Sequence, residues 1–398
     1  MSVQSISMPY LIPDMPSAEE VLPFLREIDE NRWYSNFGPL VLRLNDQIKA
    51  NHFAGEDVHT LLCSTGTAAL ELGLACLGLK PGARVLVPAF TFPASANAIQ
   101  NCGFEPVFCD VDEQSWVLTP EIAFEALLRT RIDAVMPVAA LGRPLPASQW
   151  DRFCEETGLP VLIDAAPALG NQRVGKHLVV AYSMHATKAF GIGEGGVLAT
   201  ADADLIARAR RICNFGMDGV GRVVMQGTNC KLSEYHAAVG LAQMQRWPAR
   251  QLKRARIETA YHAHMQLHKD LWATQSFVDR PPEHDVLVTL PVRNSRSTMP
   301  VRLSDHVAID IHDVQERLAE KGIGTRLWYN PALHRHPNWM GHRQIHRAGL
   351  HSLATVDSLN NRLIGLPFHN FLSPEDIAHV VTSLWQIVES REFSASIS

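Results

Sequence analysis

Between about residues 60 and 200 the apolar positions fall into short runs separated by helical patterns. The runs are Leu61-Leu62-Cys63, Val85-Leu86-Val87, Pro106-Val107-Phe108, Ala134-Val135-Met136 and Val161-Leu162-Ile163. Alternation of this kind predicts an α/β layer architecture, and strands apolar on both faces belong in a mostly parallel sheet covered by helices on both sides. Residues 68–79 are apolar nearly all round, which predicts a buried helix that Lys80-Pro81-Gly82 stops. After about residue 250 the texture changes to a charged helical pattern over 251–268, a strand-like DVLVTLPV and a loop rich in Arg, Ser and Pro. A final helix is expected after Ser373, with Pro374 at its first position, Asp376 placed for a capping box, and Ile377, Val380, Val381, Leu384 and Val388 on one face. The expected organisation is a large domain over 20–250, a smaller C-terminal α+β domain over 251–398, and an arm over 1–19.

Composition narrows the class. An apolar fraction of 46% with 19% charged residues describes an ordinary globular enzyme. A net charge of −5 offers no basic surface to nucleic acid. The 18 histidines lack paired ligand spacing, so no metal is expected. Seven cysteines, an odd number set mostly in apolar runs, read as reduced thiols rather than a disulfide framework. The opening MSVQSISMPYLIPDMP has no basic start followed by a continuous apolar segment, and no uncharged stretch is long enough to span a bilayer. The expectation is a cytoplasmic protein with no membrane partner.

Three segments carry candidate chemistry. Ser64-Thr65-Gly66-Thr67 lies between a short strand and the buried helix, where glycine permits close approach and free amides attract an anion; a plain N-cap explains the same residues. Asp164 follows an apolar strand and precedes Ala165-Ala166. It therefore faces the crevice where α/β folds bind ligands, or caps a helix. Lys188 follows an apolar run and precedes four glycines within residues 191–196, a setting unlike that of a solvated lysine. A partly buried lysine has a lowered pKa, so its neutral amine can attack an aldehyde and later carry protons. His185 and Glu194 beside it read as structural. Pyridoxal phosphate requires a lysine for its aldehyde, an acid at its pyridine nitrogen and a cradle for its phosphate, which Lys188, Asp164 and the helix start at Gly66-Thr67 can supply.

Here the chain resembles a family. STGTAAL, VPAFTFPASANAI, PVFCDVD, VLIDAA, SMHATK, GEGG and GTNCKLSEYHAAVGLAQM are similar to the nucleotide-sugar aminotransferases of the DegT/DnrJ/StrS type, and the likeness extends from about Trp33 to Pro367. The resemblance implies a fold-type-I pyridoxal-phosphate enzyme and a homodimer with shared active sites. It implies that Lys188 bears the cofactor, Asp164 meets its ring nitrogen and Phe92 stacks on its ring. Ser183, Gly66 and Thr67 would contact the phosphate, and Asn229 would reach it from the neighbouring subunit. Two departures stand out: Pro167 follows the Asp-Ala-Ala motif where many relatives have Gln or His, and Val138-Ala139-Ala140-Leu141-Gly142 replaces a V-H-x-x-G pattern. The implied activity is transfer of an amino group from glutamate to a keto group of a nucleotide-linked 6-deoxy sugar, such as dTDP-4-keto-6-deoxyglucose. An aminotransferase for a cyclitol or other cyclic ketone, or a non-catalytic sugar-binding regulator on the same fold, are the alternatives.

Overall fold

The computed structural model describes residues 6–275, 296–346 and 352–395; the expected strand DVLVTLPV lies outside them. Strands β1 (His59–Cys63), β2 (Arg84–Pro88), β3 (Glu105–Cys109), β4 (Ala134–Val135), β5 (Leu162–Asp164), β6 (Val179–Ser183) and β7 (Gly196–Thr200) build the large sheet. Pairing runs β1-β7-β6-β5 on one side and through β3-β2-β4 on the other. Single parallel bridges, Val135 to Val161 and Val138 to Asp164, join β4 to β5. Only β7 runs against its neighbours, so the sheet is mostly parallel, as expected. β8 (Trp272–Thr274), β9 (Met299–Leu303) and β11 (Leu363–Leu366) form a separate antiparallel sheet in the order β11-β9-β8, while β10 (Gln344–Ile345) extends the large sheet beside β3.

Helices α1 (Ala18–Asn31), α2 (Pro39–His52), α3 (Gly66–Cys76), α4 (Pro93–Asn101), α5 (Pro120–Leu127), α6 (Ala147–Thr157), α7 (Ala203–Cys213) and α8 (Glu234–Met265) belong mainly to the large sheet; α9 (Ile311–Glu320), α10 (Ala354–Arg362) and α11 (Pro374–Ala395) come later. The helix expected over 68–79 is α3, buried at Ala68, Leu70, Leu72 and Leu74, and it ends at Cys76 because Gly78 takes a left-handed backbone (φ 69°). The expected capping box of α11 is present. The Ser373 amide donates to Asp376 Oδ2 at 2.8 Å, and the Asp376 amide donates to Ser373 Oγ at 3.1 Å.

Two apolar cores form, one around the large sheet and one under the antiparallel sheet with Ile257, Tyr261, Val314, Leu384 and their neighbours. Sequence patterning suggests two helices, one at Glu234–Ala242 and one over 251–268. The structure instead holds a single helix, α8, that runs through Pro248 and packs Trp247 in the first core and Ile257 in the second. Tertiary packing at both ends outweighs the local cost of the proline. At the start of α8, the fully buried Glu234 carboxylate accepts from the Leu40 and Val41 amides at 2.8 and 2.9 Å, so it caps α2 from another element. No helix among the described residues is long and apolar enough to cross a membrane.

Candidate active site

The carboxyl ends of β1, β5 and β6 deliver Thr65, Asp164 and Ser183 to one cavity of about 440 Å³. Ligand crevices of parallel sheets form at this edge because the strand ends diverge there and their side chains have no further strand to cover them. The opposite wall comes from the C-terminal part of the chain, at Ser297, Thr298, Arg326, Trp328 and Tyr329. Of the residues singled out in the sequence, Gly66, Thr67, Phe92, Asp164, Ser183 and Lys188 all line this space.

Asp164 is 4% exposed and sits at the floor. Its Oδ2 accepts from Ser95 Oγ at 2.6 Å and its Oδ1 from the Ala166 amide at 3.0 Å, while Ser95 and Thr91 hydroxyls lie 2.8 Å apart. Burial pushes its pKa up, and the hydrogen bonds from Ser95 and Ala166 and the charge of Lys188 only partly oppose that. Lys188 is pushed the other way: burial lowers its pKa, Asp164 raises it, and Arg326 lowers it further. The cavity thus pairs a carboxylate that needs a cation with an amine biased toward its neutral form.

The first turn of α3 points into the same space. Thr65 Oγ1 takes the Ala68 amide at 3.0 Å, leaving the Gly66 and Thr67 amides as first-turn donors at the cavity wall. The N-cap is therefore Thr65, and the open amides belong to the two residues after it. A Cβ on Gly66 would meet the Ser183 Cβ at 2.7 Å and its Cα at 3.1 Å. Gly66→Ala should therefore push the helix start off β6, cost about 1–3 kcal/mol of stability and weaken phosphate-ester binding. Thermal unfolding and a pyridoxal phosphate titration check this; wild-type values in both would remove the close approach from the account.

Phe92 is 52% exposed, so it is a cavity-wall ring rather than the core phenylalanine that its apolar neighbours suggest. Ser183 is 8% exposed at the end of β6 and accepts from the His185 amide at 3.2 Å. Glu194 also lines the cavity and lies 3.6 Å from His185 Nε2, while His185 Nδ1 is 2.8 Å from Thr187 Oγ1. Asn229 does not line the cavity of its own chain; it is exposed and pairs through its backbone with Asn214. Pro167 and Leu141 leave that part of the wall without side-chain donors, and Leu141 takes a left-handed backbone at φ 58°.

Sequence reasoning missed Ser95 and Thr91, which look like ordinary helix-start residues in FTFPAS, and the 297–298 and 328–329 wall. A signal was available in the aromatic pair Trp328-Tyr329 that follows Gly324-Thr325-Arg326-Leu327. Arg222 binds Asp218 at 2.8 Å on an exposed turn outside the cavity.

These residues suit pyridoxal phosphate: a buried acid lacking a full countercharge, an amine of lowered pKa, helix-start amides and an exposed ring share one space. Comparison with known proteins agrees. The profile of the DegT/DnrJ/EryC1/StrS aminotransferase family matches residues 17–385. The chain belongs to this family. As a DegT-family aminotransferase it is 29% identical over 372 residues to the GDP-perosamine synthase of Caulobacter vibrioides, covering 92% of this chain and 94% of that one. Among solved structures, DesI in the presence of its TDP-sugar product superposes with a TM-score of 0.82 at 28% identity, over 98% of this chain and 96% of that one. A DegT DnrJ EryC1 StrS aminotransferase from Brucella abortus gives a TM-score of 0.78 at 25% identity, over 93% and 95% of the two chains. The fold is therefore that of fold-type-I pyridoxal-phosphate aminotransferases with a large and a small domain, as the resemblance implied.

Proposed function

We propose that this DegT-family member moves an amino group from glutamate to a keto group of a nucleotide-linked 6-deoxy sugar, using pyridoxal phosphate held by Lys188. The observation that carries the reading is the meeting of Lys188 and Asp164 in one cavity at the carboxyl edge of the sheet. The nucleotide-sugar part rests on relatives named for GDP-perosamine and for a TDP-sugar. When bound, the cofactor supplies an aldehyde for primary amines and a ring that draws electrons from the carbon beside the nitrogen. Lys188 Nζ would hold the cofactor through its aldehyde carbon, and as a free amine it would accept and return a proton at the donor's α-carbon. Asp164 holds the proton on the ring nitrogen, and Ser95 with the Ala166 amide fixes the carboxylate for that task. Gly66, Thr67 and Ser183, which line the cavity with Phe92, would hold the phosphate, and Phe92 would stack on the ring. The seven free cysteines suit a reducing cytoplasm. A panel of keto sugars incubated with glutamate, with products identified by mass, tests the reading; amination of cyclitol ketones alone would favour the alternative substrate class, and a colourless protein with no turnover would favour the regulator.

We also assign Asn229 to a neighbouring subunit's site. It is exposed, as are the large apolar residues Trp33, Tyr34, Phe215, Val223, Val224 and Tyr235, of which Tyr34 and Tyr235 stack on each other, and exposed apolar side chains of this size suit contact with a second copy. Mixing inactive Lys188→Ala with an impaired Asn229→Ala under conditions of subunit exchange should restore activity, because one hybrid site combines an intact Lys188 with an intact Asn229. No restoration despite demonstrated exchange would confine each site to one chain.

A further inference from the structure

Asp164 and Glu194 are the two carboxylates that line the cavity. Asp164 has its oxygens engaged by Ser95 and the Ala166 amide. Glu194 is different. Its side chain is 51% exposed, that of His185 beside it is 44% exposed, and Glu194 Oε1 lies 3.6 Å from His185 Nε2. An N–H donor and a carboxylate bond at about 2.7–3.2 Å, so the two face each other without joining. The sequence suggests structural roles for both residues, but a structural pair would close on itself. Here a donor and an acceptor stand open to one cavity.

The chain brings the two together by folding back on itself around Lys188. The Met184 amide donates to Gly195 O at 2.8 Å, the Ala186 amide to Gly193 O at 2.8 Å and the Ile192 amide to Met184 O at 2.9 Å. Glycine permits this fold. Gly193 takes a left-handed backbone at φ 98°, and a Cβ on Gly191 would meet Ala186 O at 2.7 Å. The tautomer of His185 follows from its neighbours. The Thr187 amide donates to Nδ1 at 3.3 Å, so Nδ1 is the acceptor and Nε2 carries the proton of the neutral ring. Thr187 Oγ1, 2.8 Å from Nδ1, holds the ring in the same sense. The Nε2 proton and the Glu194 carboxylate are thus spaced for one hydroxyl, which accepts from the first and donates to the second.

We propose that His185 and Glu194 clasp a ring hydroxyl of the acceptor, which makes them specificity-determining residues for a hydroxylated cyclic ketone. A hydroxyl matches both because one oxygen accepts and donates. The other groups that substrates bring fit less well. Glu194 repels the carboxylates of an amino donor such as glutamate, and the donor's amine is needed at Lys188. The same charge turns away a phosphate. An acceptor sugar with its keto carbon at Lys188 still has ring hydroxyls to present toward the half-exposed side of the cavity, where the pair stands. Water competes there, so the clasp should be worth about tenfold, less than a fully buried polar site achieves. This assignment rests on the sugar-acceptor reading and names the groups that read the sugar.

Calorimetry on the holoenzyme compares dTDP-glucose with dTDP, and GDP-mannose with GDP, so that each pair differs by the sugar alone and no turnover is needed. Wild type should bind the sugar-bearing member of one pair at least about tenfold more tightly. In Glu194→Ala that ratio should fall to about twofold, and in Glu194→Gln, which keeps an acceptor but loses the charge, to about fourfold. His185→Asn, which retains an acceptor for the Thr187 amide but has no counterpart of Nε2, should also bring it to about twofold. A ratio unchanged in Glu194→Ala overturns the proposal, and so does equal weakening of both members, which marks a structural role. If Glu194→Ala does not fold, Glu194→Gln and His185→Asn decide on the same ratio. Wild type binding both members of a pair equally overturns the clasp and leaves the nucleotide-sugar reading in place. Wild type binding neither pair removes that reading, and the clasp with it.

Discussion

Lys188→Ala should fold, bind pyridoxal phosphate without a covalent link, and lose at least about 10³-fold in kcat. The side chain is asked to do two things, attach the cofactor and move a proton, and a positioned acid–base group alone is worth about 10²–10⁴-fold. A 10³-fold loss is about 4 kcal/mol at the barrier. Folding should survive because burial works against the charged Lys188 side chain, so its removal relieves a desolvation cost. Its lowered pKa also sets a pH dependence. Lys188 should react with pyridoxal phosphate increasingly as pH rises through its lowered value, levelling off below the ~10.4 of an ordinary lysine. Stopped-flow absorbance against pH checks this; a rate still climbing through pH 10.4 would mean the amine is not perturbed.

Asp164→Asn should keep the cofactor and lose about 10²–10³-fold in turnover. Removing one charge from a buried pair costs about 3–5 kcal/mol when the partner stays charged, and the ring nitrogen is the partner that an amide cannot hold protonated. The cofactor-free protein behaves differently. Asp164 has its pKa raised by burial, so the folded state binds a proton more tightly than the unfolded chain. Its contribution to stability is complete below the unfolded carboxylate value and declines as pH rises through the raised folded value. Above that raised value the ionised carboxylate therefore destabilises the empty protein. Asparagine, which can still accept from Ser95, should melt no lower than wild type there. Wild-type turnover would remove Asp164 from the mechanism, and a collapsed melting temperature would make its role structural.

The chemistry was legible where it is local. Lys188 and Asp164 stand out because each breaks the character of its own neighbourhood, a cation among glycines and an acid ending an apolar strand. The mostly parallel sheet follows from runs apolar on both faces, which need helices on both sides. What was not legible comes from contacts between distant segments. Ser95 reaches Asp164 across 69 residues, and Tyr10 reaches Trp328 across 318. No local pattern encodes either bond. The course of α8 through Pro248 was hidden for the same reason, since two cores hold it and its own sequence argues for a break. Exposure of Phe92 could not be read either, because a ring on a cavity wall and a ring in a core have the same apolar neighbours.

The central claim is that Lys188 is the cofactor's attachment point. Incubation of the protein with pyridoxal phosphate, borohydride reduction and peptide mapping tests it most directly. The account predicts a single reduced pyridoxyl label on the peptide containing His185-Ala186-Thr187-Lys188, lost in Lys188→Ala. A label on another lysine, or one spread over many, would contradict it.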